Sequence, residues 1–214
     1  MWLYRLNRAL GPLIGACWRL GLEGEVESIP RSGGFLVVPN HSSVLDPWMV
    51  GMRFPRSVRW LITSRWYERS RTAHFLFTAL GTVPVRPGDP AGTIDAVCAA
   101  LGRGEGVGVF PEGGISGDGR VRRFRGGIAR MAARSGVPVI PVGVRGAFES
   151  LPKQRRLPAF RRVTVVVGTP MRFPGAPIEV EPDKDALTAF LASLRGEVAR
   201  LAERDLDDDE TDGA

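Results

Sequence analysis

An α/β fold, one domain with a central, mostly parallel sheet flanked by helices, is predicted by three observations on this sequence. Short apolar, β-branched runs recur at residues 35–38, 58–63, 83–85, 107–110, 137–144 and 163–167. Helical segments at 43–52, 65–80, 90–103, 127–134 and 183–204 separate most of them, the alternation that builds parallel sheets with helical connections. A chain of 214 residues holds one sizeable core, and two full domains would be a squeeze.

Taken in order, the chain opens with a segment at 2–21 that reads as an amphipathic helix. At ~100° per residue, Arg5, Arg8 and Arg19 fall on one narrow arc, and Leu3, Leu6, Leu10, Leu13, Ile14, Cys17 and Leu20 fill the opposite side. With Trp2 among them, this pattern suits the interface of an anionic bilayer, and it equally suits packing on the protein's own core. Arg19 closes the apolar run with no small-residue cleavage site, so a secretory signal is not expected. No stretch reaches the ~18 uninterrupted apolar residues of a spanning helix. These features predict a peripheral protein on the cytoplasmic face of the cell membrane. Residues 22–204 are expected to form the folded domain, and 205–214, with six acids and no base, a solvated disordered tail.

Charge supports the choice of surface. Setting the tail aside leaves 29 bases against 17 acids, a body that anionic partners attract. Between residues 53 and 77, six arginines interleave with Phe54, Trp60, Trp66, Tyr67, Phe75 and Phe77. That mixture also occurs in nucleic-acid binders, but aromatics inside predicted elements are better read as core or bilayer anchors, so no nucleic acid is expected. Cys17 and Cys98 make no disulfide framework, and two histidines make no metal site of the usual kind.

The chemistry concentrates at strand ends. The run 34–39 is a strand leading into Asn40, His41, Ser42 and Ser43, with either serine suited to cap the next helix. A histidine just past a strand's carboxyl end stands where open α/β sheets place ligands. Asp46, five residues on, is within reach of one imidazole nitrogen, leaving the other as an outward general base. By itself this spacing is better explained as a hydrogen-bonded helix start. Ser42 or Ser43 as a hydrolase nucleophile is disfavoured, because adjacent side chains rarely reach each other and no Gly-x-Ser-x-Gly elbow is present. A second strand enters a glycine-rich turn with Glu112, Gly113, Gly114 and Ser116, whose N–H groups suit an oxyanion or phosphate. It lacks the Gly-Lys-Ser/Thr ending of a nucleotide loop. A third strand ends in Arg86, a side chain suited to phosphate.

These segments together resemble the glycerophospholipid acyltransferase family, typified by 1-acylglycerol-3-phosphate O-acyltransferases. Asn40-His41 through Asp46 is similar to its His-x4-Asp block, Gly81 to Arg86 to its second, Phe110-Pro111-Glu112-Gly113 through Ser116 to its third, and residues 137–142 to its fourth. Phe124-Arg125-Gly126-Gly127 resembles the family's Phe-Lys-x-Gly. The resemblance implies His41 and Asp46 as the catalytic pair and Arg86, Glu112 and Gly113 as acceptor-binding residues, with Asn40, Ser116 and Arg125 in support. It implies a lysophospholipid acceptor, acyl-CoA or acyl carrier protein as co-substrate, and neither metal nor cofactor.

One departure stands out. The family's third block reads Phe-Pro-Glu-Gly-Thr-Arg-Ser, whereas Gly114-Ile115 here replaces Thr-Arg and removes an arginine. Either Arg120, Arg122, Arg123 or Arg125 substitutes, or the acceptor is a lipid with less exposed phosphate, such as a phosphodiester or amino-acid-derived lyso-lipid. A non-catalytic lipid-binding relative and a thioesterase-like hydrolase are the competing readings.

Overall fold

A computed structural model of the chain describes residues 15–79, 81–178 and 180–207. Seven strands, β1 (Gly21–Gly24), β2 (Phe35–Pro39), β3 (Val58–Thr63), β4 (Val83–Val85), β5 (Gly106–Gly108), β6 (Val139–Arg145) and β7 (Thr164–Val167), form one sheet in the order β1-β7-β6-β2-β5-β3-β4. The pairs are parallel except β6 with β7, so the expected mostly parallel sheet is what forms.

The helices are α1 (Asp46–Arg53), α2 (Ser64–Glu68), α3 (Arg71–Ala79), α4 (Pro90–Gly102), α5 (Gly127–Ser135), α6 (Ala147–Ser150) and α7 (Lys184–Ala202). Successive residues of a strand face opposite sides, and β2 shows why both sides are apolar. Leu36 and Val38 join a core under α4, α5 and α7, while Phe35 and Val37 join a second core under α1. β2 is therefore fully buried at the sheet's centre, and its carboxyl end is held rigidly.

Capping residues set several boundaries. Asp89 accepts from the Gly92 N–H at 2.8 Å with Pro90 in the first turn, and Asp183 caps α7 by accepting from Asp185 and Ala186. The segment expected as one helix at 65–80 is two. Ser70 Oγ accepts from the Ala73 N–H at 3.0 Å and starts a new helix. The predicted N-terminal helix at 2–21 lies mostly outside the described residues. Its described end stops before Gly21, because Arg19 turns into the left-handed region at φ 46° and the chain enters β1. β1 itself is four residues with a glycine at each end, which leaves almost no strand signal.

Two other segments are tied into the fold. Part of the basic, aromatic stretch is structural rather than surface. The Arg56 guanidinium donates to the Pro30, Gly33 and Gly104 carbonyls and lies over the Phe35 ring, and Arg59 donates to Gly81 O and pairs with Glu105. Phe54 and Trp60 are core. The start of the acidic tail is also tied down. Val121 exchanges main-chain hydrogen bonds with Asp205 and Asp207, and Arg195 donates to the Asp207 carbonyl at 2.6 Å.

Candidate active site

The parallel strands β2, β3, β4, β5 and β6 all end at one edge of the sheet, and the predicted chemistry collects there. His41 stands two residues past β2. Its Nδ1 lies 3.0 Å from Asp46 Oδ2, and the same oxygen accepts the Ser42 and Ser43 N–H groups at 2.8 Å each. Asp46, the first residue of α1, thus folds its carboxylate back over the two preceding amides. This is the reason the serine caps predicted for α1 do not form. Ser43 Oγ instead donates to the Leu151 carbonyl at 2.7 Å and accepts from the Leu45 N–H.

Asp46 is fully buried, and His41 keeps 16% of its side chain exposed. Burial pushes the Asp46 carboxyl upward, opposed by its bonds to the imidazole and the two amides. An acceptor at Nδ1 places the histidine proton there and leaves Nε2 as the basic nitrogen. The imidazole is also stacked on Phe110, centroids 3.9 Å apart and planes 23° apart, and Phe110 stacks in turn on Trp60 at 4.8 Å. Gly108 makes room for this stack, since a Cβ there would sit 2.4 Å from the Trp60 ring.

The third block grips the histidine's main chain. The His41 N–H donates to Glu112 Oε1 at 2.7 Å, and the His41 carbonyl accepts from the Ser116 N–H at 2.7 Å. Glu112 Oε2 accepts from the Arg122 N–H at 3.2 Å. The Glu112 carboxylate is buried with both oxygens engaged. That burial raises its pKa to about 8, against the pull of its two amide donors. Ser116 is committed as well, its hydroxyl donating to Asp118 and accepting from the Gly119 N–H. Asn40 reaches sideways to β6, accepting the Val144 N–H at 2.7 Å and donating to its carbonyl at 3.3 Å. Asn40, Glu112 and Ser116 thus hold the segment around His41 in place.

The glycine turn carries the arginines. Gly113 has φ 72°, and a Cβ there would lie 2.3 Å from Arg125 Nε, so the exposed Arg125 guanidinium rests on the turn. A Cβ on Gly114 would meet an Arg122 guanidinium nitrogen at 3.7 Å. Two arginines thus flank the place where Ile115 stands for the family's arginine. Arg86, exposed just past β4, shares the edge but lies three strands from β2, about 14 Å across the sheet. Neither serine hydroxyl engages the imidazole: Ser43 Oγ is bonded elsewhere, and Ser42 Oγ is buried without a hydrogen-bond partner among the described residues.

Sequence reasoning missed the ring stack and the Leu151 anchor. Phe110 was visible as part of a block, but nothing at 151, so far along the chain, signals a partner for Ser43.

Comparison with known proteins gives the class. Residues 23–145 match the Acyltransferase family, to which the chain belongs. It is 30% identical over 146 residues to the chloroplastic 1-acyl-sn-glycerol-3-phosphate acyltransferase LPAT1 of Arabidopsis thaliana, covering 63% of this chain and 38% of that protein. The chloroplastic BAT2 of Brassica napus is 31% identical over 138 residues, 59% of this chain and again 38% of the relative. The chain therefore spans well under half of these relatives' length. The crystal structure of the 1-acyl-sn-glycerophosphate acyltransferase PlsC from Thermotoga maritima shares the fold, with a TM-score of 0.73 at 22% identity over 95% of this chain and 81% of that one.

Proposed function

We propose that this protein is an O-acyltransferase that moves a fatty acyl group from a thioester donor, acyl-CoA or acyl carrier protein, to the free hydroxyl of a 1-acylglycerol-3-phosphate-type lysophospholipid. The observation that carries the reading is the buried Asp46–His41 pair with its outward nitrogen and no serine hydroxyl on it. A base without a side-chain nucleophile acts on a hydroxyl brought by the substrate.

In this mechanism, Nε2 of His41 takes the acceptor hydroxyl's proton as that oxygen attacks the thioester carbonyl. Asp46 stabilises the imidazolium. The tetrahedral intermediate collapses, the C–S bond breaks, and the departing thiolate takes the proton back from Nε2. Arg125 and Arg122, beside the Gly113-Gly114 turn, supply the positive charge for the acceptor's phosphate in place of the arginine absent at 115, and Arg86 closes the far end of the site. The names of the chloroplast relatives support this acceptor class. The same reading places the protein peripherally on the cytoplasmic membrane face.

The test is transfer of labelled acyl-CoA and acyl carrier protein thioesters to a panel of lyso-lipids. His41→Ala is expected to lower transfer by roughly 10²–10⁴-fold with folding retained. Free fatty acid release that added lyso-lipid does not reduce would point to hydrolysis and defeat the reading.

A further inference from the structure

The loop from Pro152 to Arg162 is built unlike the rest of the described surface. It joins α6 to β7 without regular secondary structure and carries Lys153, Arg155, Arg156, Arg161 and Arg162 with no acid. Of these five, and among the described residues, only Arg162 has a carboxylate partner, Glu23 at 3.6 Å on the open surface. Within the same loop Leu157 is 78% and Phe160 62% exposed. Single exposed apolar residues are ordinary, but two this exposed, three residues apart among five cations, form a surface suited to a partner that is both anionic and apolar.

The loop is also wired to the active site. Leu151, at its start, holds Ser43 through its carbonyl, next to the exposed Val44 and two residues past His41. The Ala159 N–H donates to the Ser150 carbonyl at 2.7 Å, which folds the loop back on α6. At its other end the Val163 N–H donates to the Trp18 carbonyl at 2.9 Å, and the Trp18 ring meets Phe160 edge-on at 4.9 Å. The chain leaving the N-terminal segment, the loop and the start of α1 thus meet at the sheet edge that carries His41. No helix among the described residues is long and apolar enough to cross a membrane.

We propose that residues 152–162 are a membrane-docking loop that seats the His41 edge of the sheet on an anionic bilayer, with Leu157 and Phe160 inserted and the five cations among the headgroups. The proposal rests on the lipid-acceptor reading for its purpose and on the loop's own chemistry for its argument. Each cation near an anionic surface strengthens binding roughly fivefold, and the two apolar side chains add a part that salt does not screen. An acceptor held in the bilayer would then reach His41 without leaving it.

The test uses the full chain and vesicles of phosphatidylcholine, alone or mixed with phosphatidylglycerol. Leu157→Ser with Phe160→Ser is expected to lower partition onto mixed vesicles roughly a hundredfold. Arg155→Gln, Arg156→Gln and Arg161→Gln together should cut the preference for phosphatidylglycerol roughly a hundredfold. A Leu157→Cys variant in a Cys17→Ser, Cys98→Ala background, labelled with a polarity-sensitive fluorophore, should shift to the blue on mixed vesicles, which reads insertion directly. Wild-type protein that ignores both vesicles, a serine pair that partitions like wild type, or label emission unchanged while the protein co-sediments overturns the proposal. If docking behaves as expected while no lyso-lipid is acylated, the loop inference stands and the acyltransferase reading falls.

Discussion

Replacing Asp46 with asparagine removes a charge at almost constant volume and tests the dyad directly. The asparagine oxygen can take over the Oδ2 position, where it still accepts from Ser42, Ser43 and His41. What disappears is the carboxylate charge beside an imidazole that, on the proposed mechanism, becomes positive in the transition state. With charge centres about 4 Å apart and an effective dielectric near 20, that interaction is worth about 4 kcal/mol. At ~1.36 kcal/mol per tenfold, the expected loss is about three decades in kcat with KM little changed. Labelled acyl transfer at saturating donor and acceptor measures it, with urea unfolding as a control. Asp46→Ala is the contrast: it leaves the buried Ser42 and Ser43 amides without their acceptor, at about 1–3 kcal/mol each, so stability falls along with rate. Asp46→Asn protein that is folded and within tenfold of wild-type kcat would refute the assignment of Asp46.

Other expectations follow from the same geometry. Glu112→Ala strips the His41 and Arg122 amides of their acceptor and should cost about 2–6 kcal/mol of stability, whereas Glu112→Gln, which keeps the bond to His41, should cost less; urea denaturation separates them. Because the Glu112 pKa is raised from 4.5 to about 8, its contribution to stability is fully present below about 4.5 and is lost as pH rises through about 8. The loss is at most about 5 kcal/mol, and Glu112→Gln should flatten that part of a stability–pH curve. Arg125→Ala should raise KM for a phosphorylated acceptor about tenfold or more with a smaller change in kcat, and a phosphate-free monoacylglycerol acceptor should show no such difference. Gly113→Ala puts a Cβ into the Arg125 guanidinium at a positive φ, so both stability and acceptor KM should worsen, read by thermal melting and steady-state kinetics.

The parallel sheet was legible because β2 and β6 are buried runs whose apolar character needs no context. β1 was not, since two of its four residues are glycine and it is recruited only by pairing with β7. The His41–Asp46 contact was legible because a five-residue separation lets the side chains meet locally. The role of Glu112 was not: an acid in a glycine turn looks open to solvent until Arg122 and His41 close over it. Arg56 and Arg59 misled for a related reason. Charge counts treat every arginine as surface, whereas these two satisfy main-chain carbonyls at the sheet's lower end.

The grip on His41 comes from far along the chain. Its N–H is held from 71 residues away, Asn40 is held from 104 and Ser43 from 108. Contacts this distant form only when β2 has been joined by β5 and β6, which gives the site high contact order and late assembly. A nascent or partly unfolded molecule therefore has the histidine but not the instrument. Recovery of the proposed acyl transfer during refolding should therefore lag the recovery of helix.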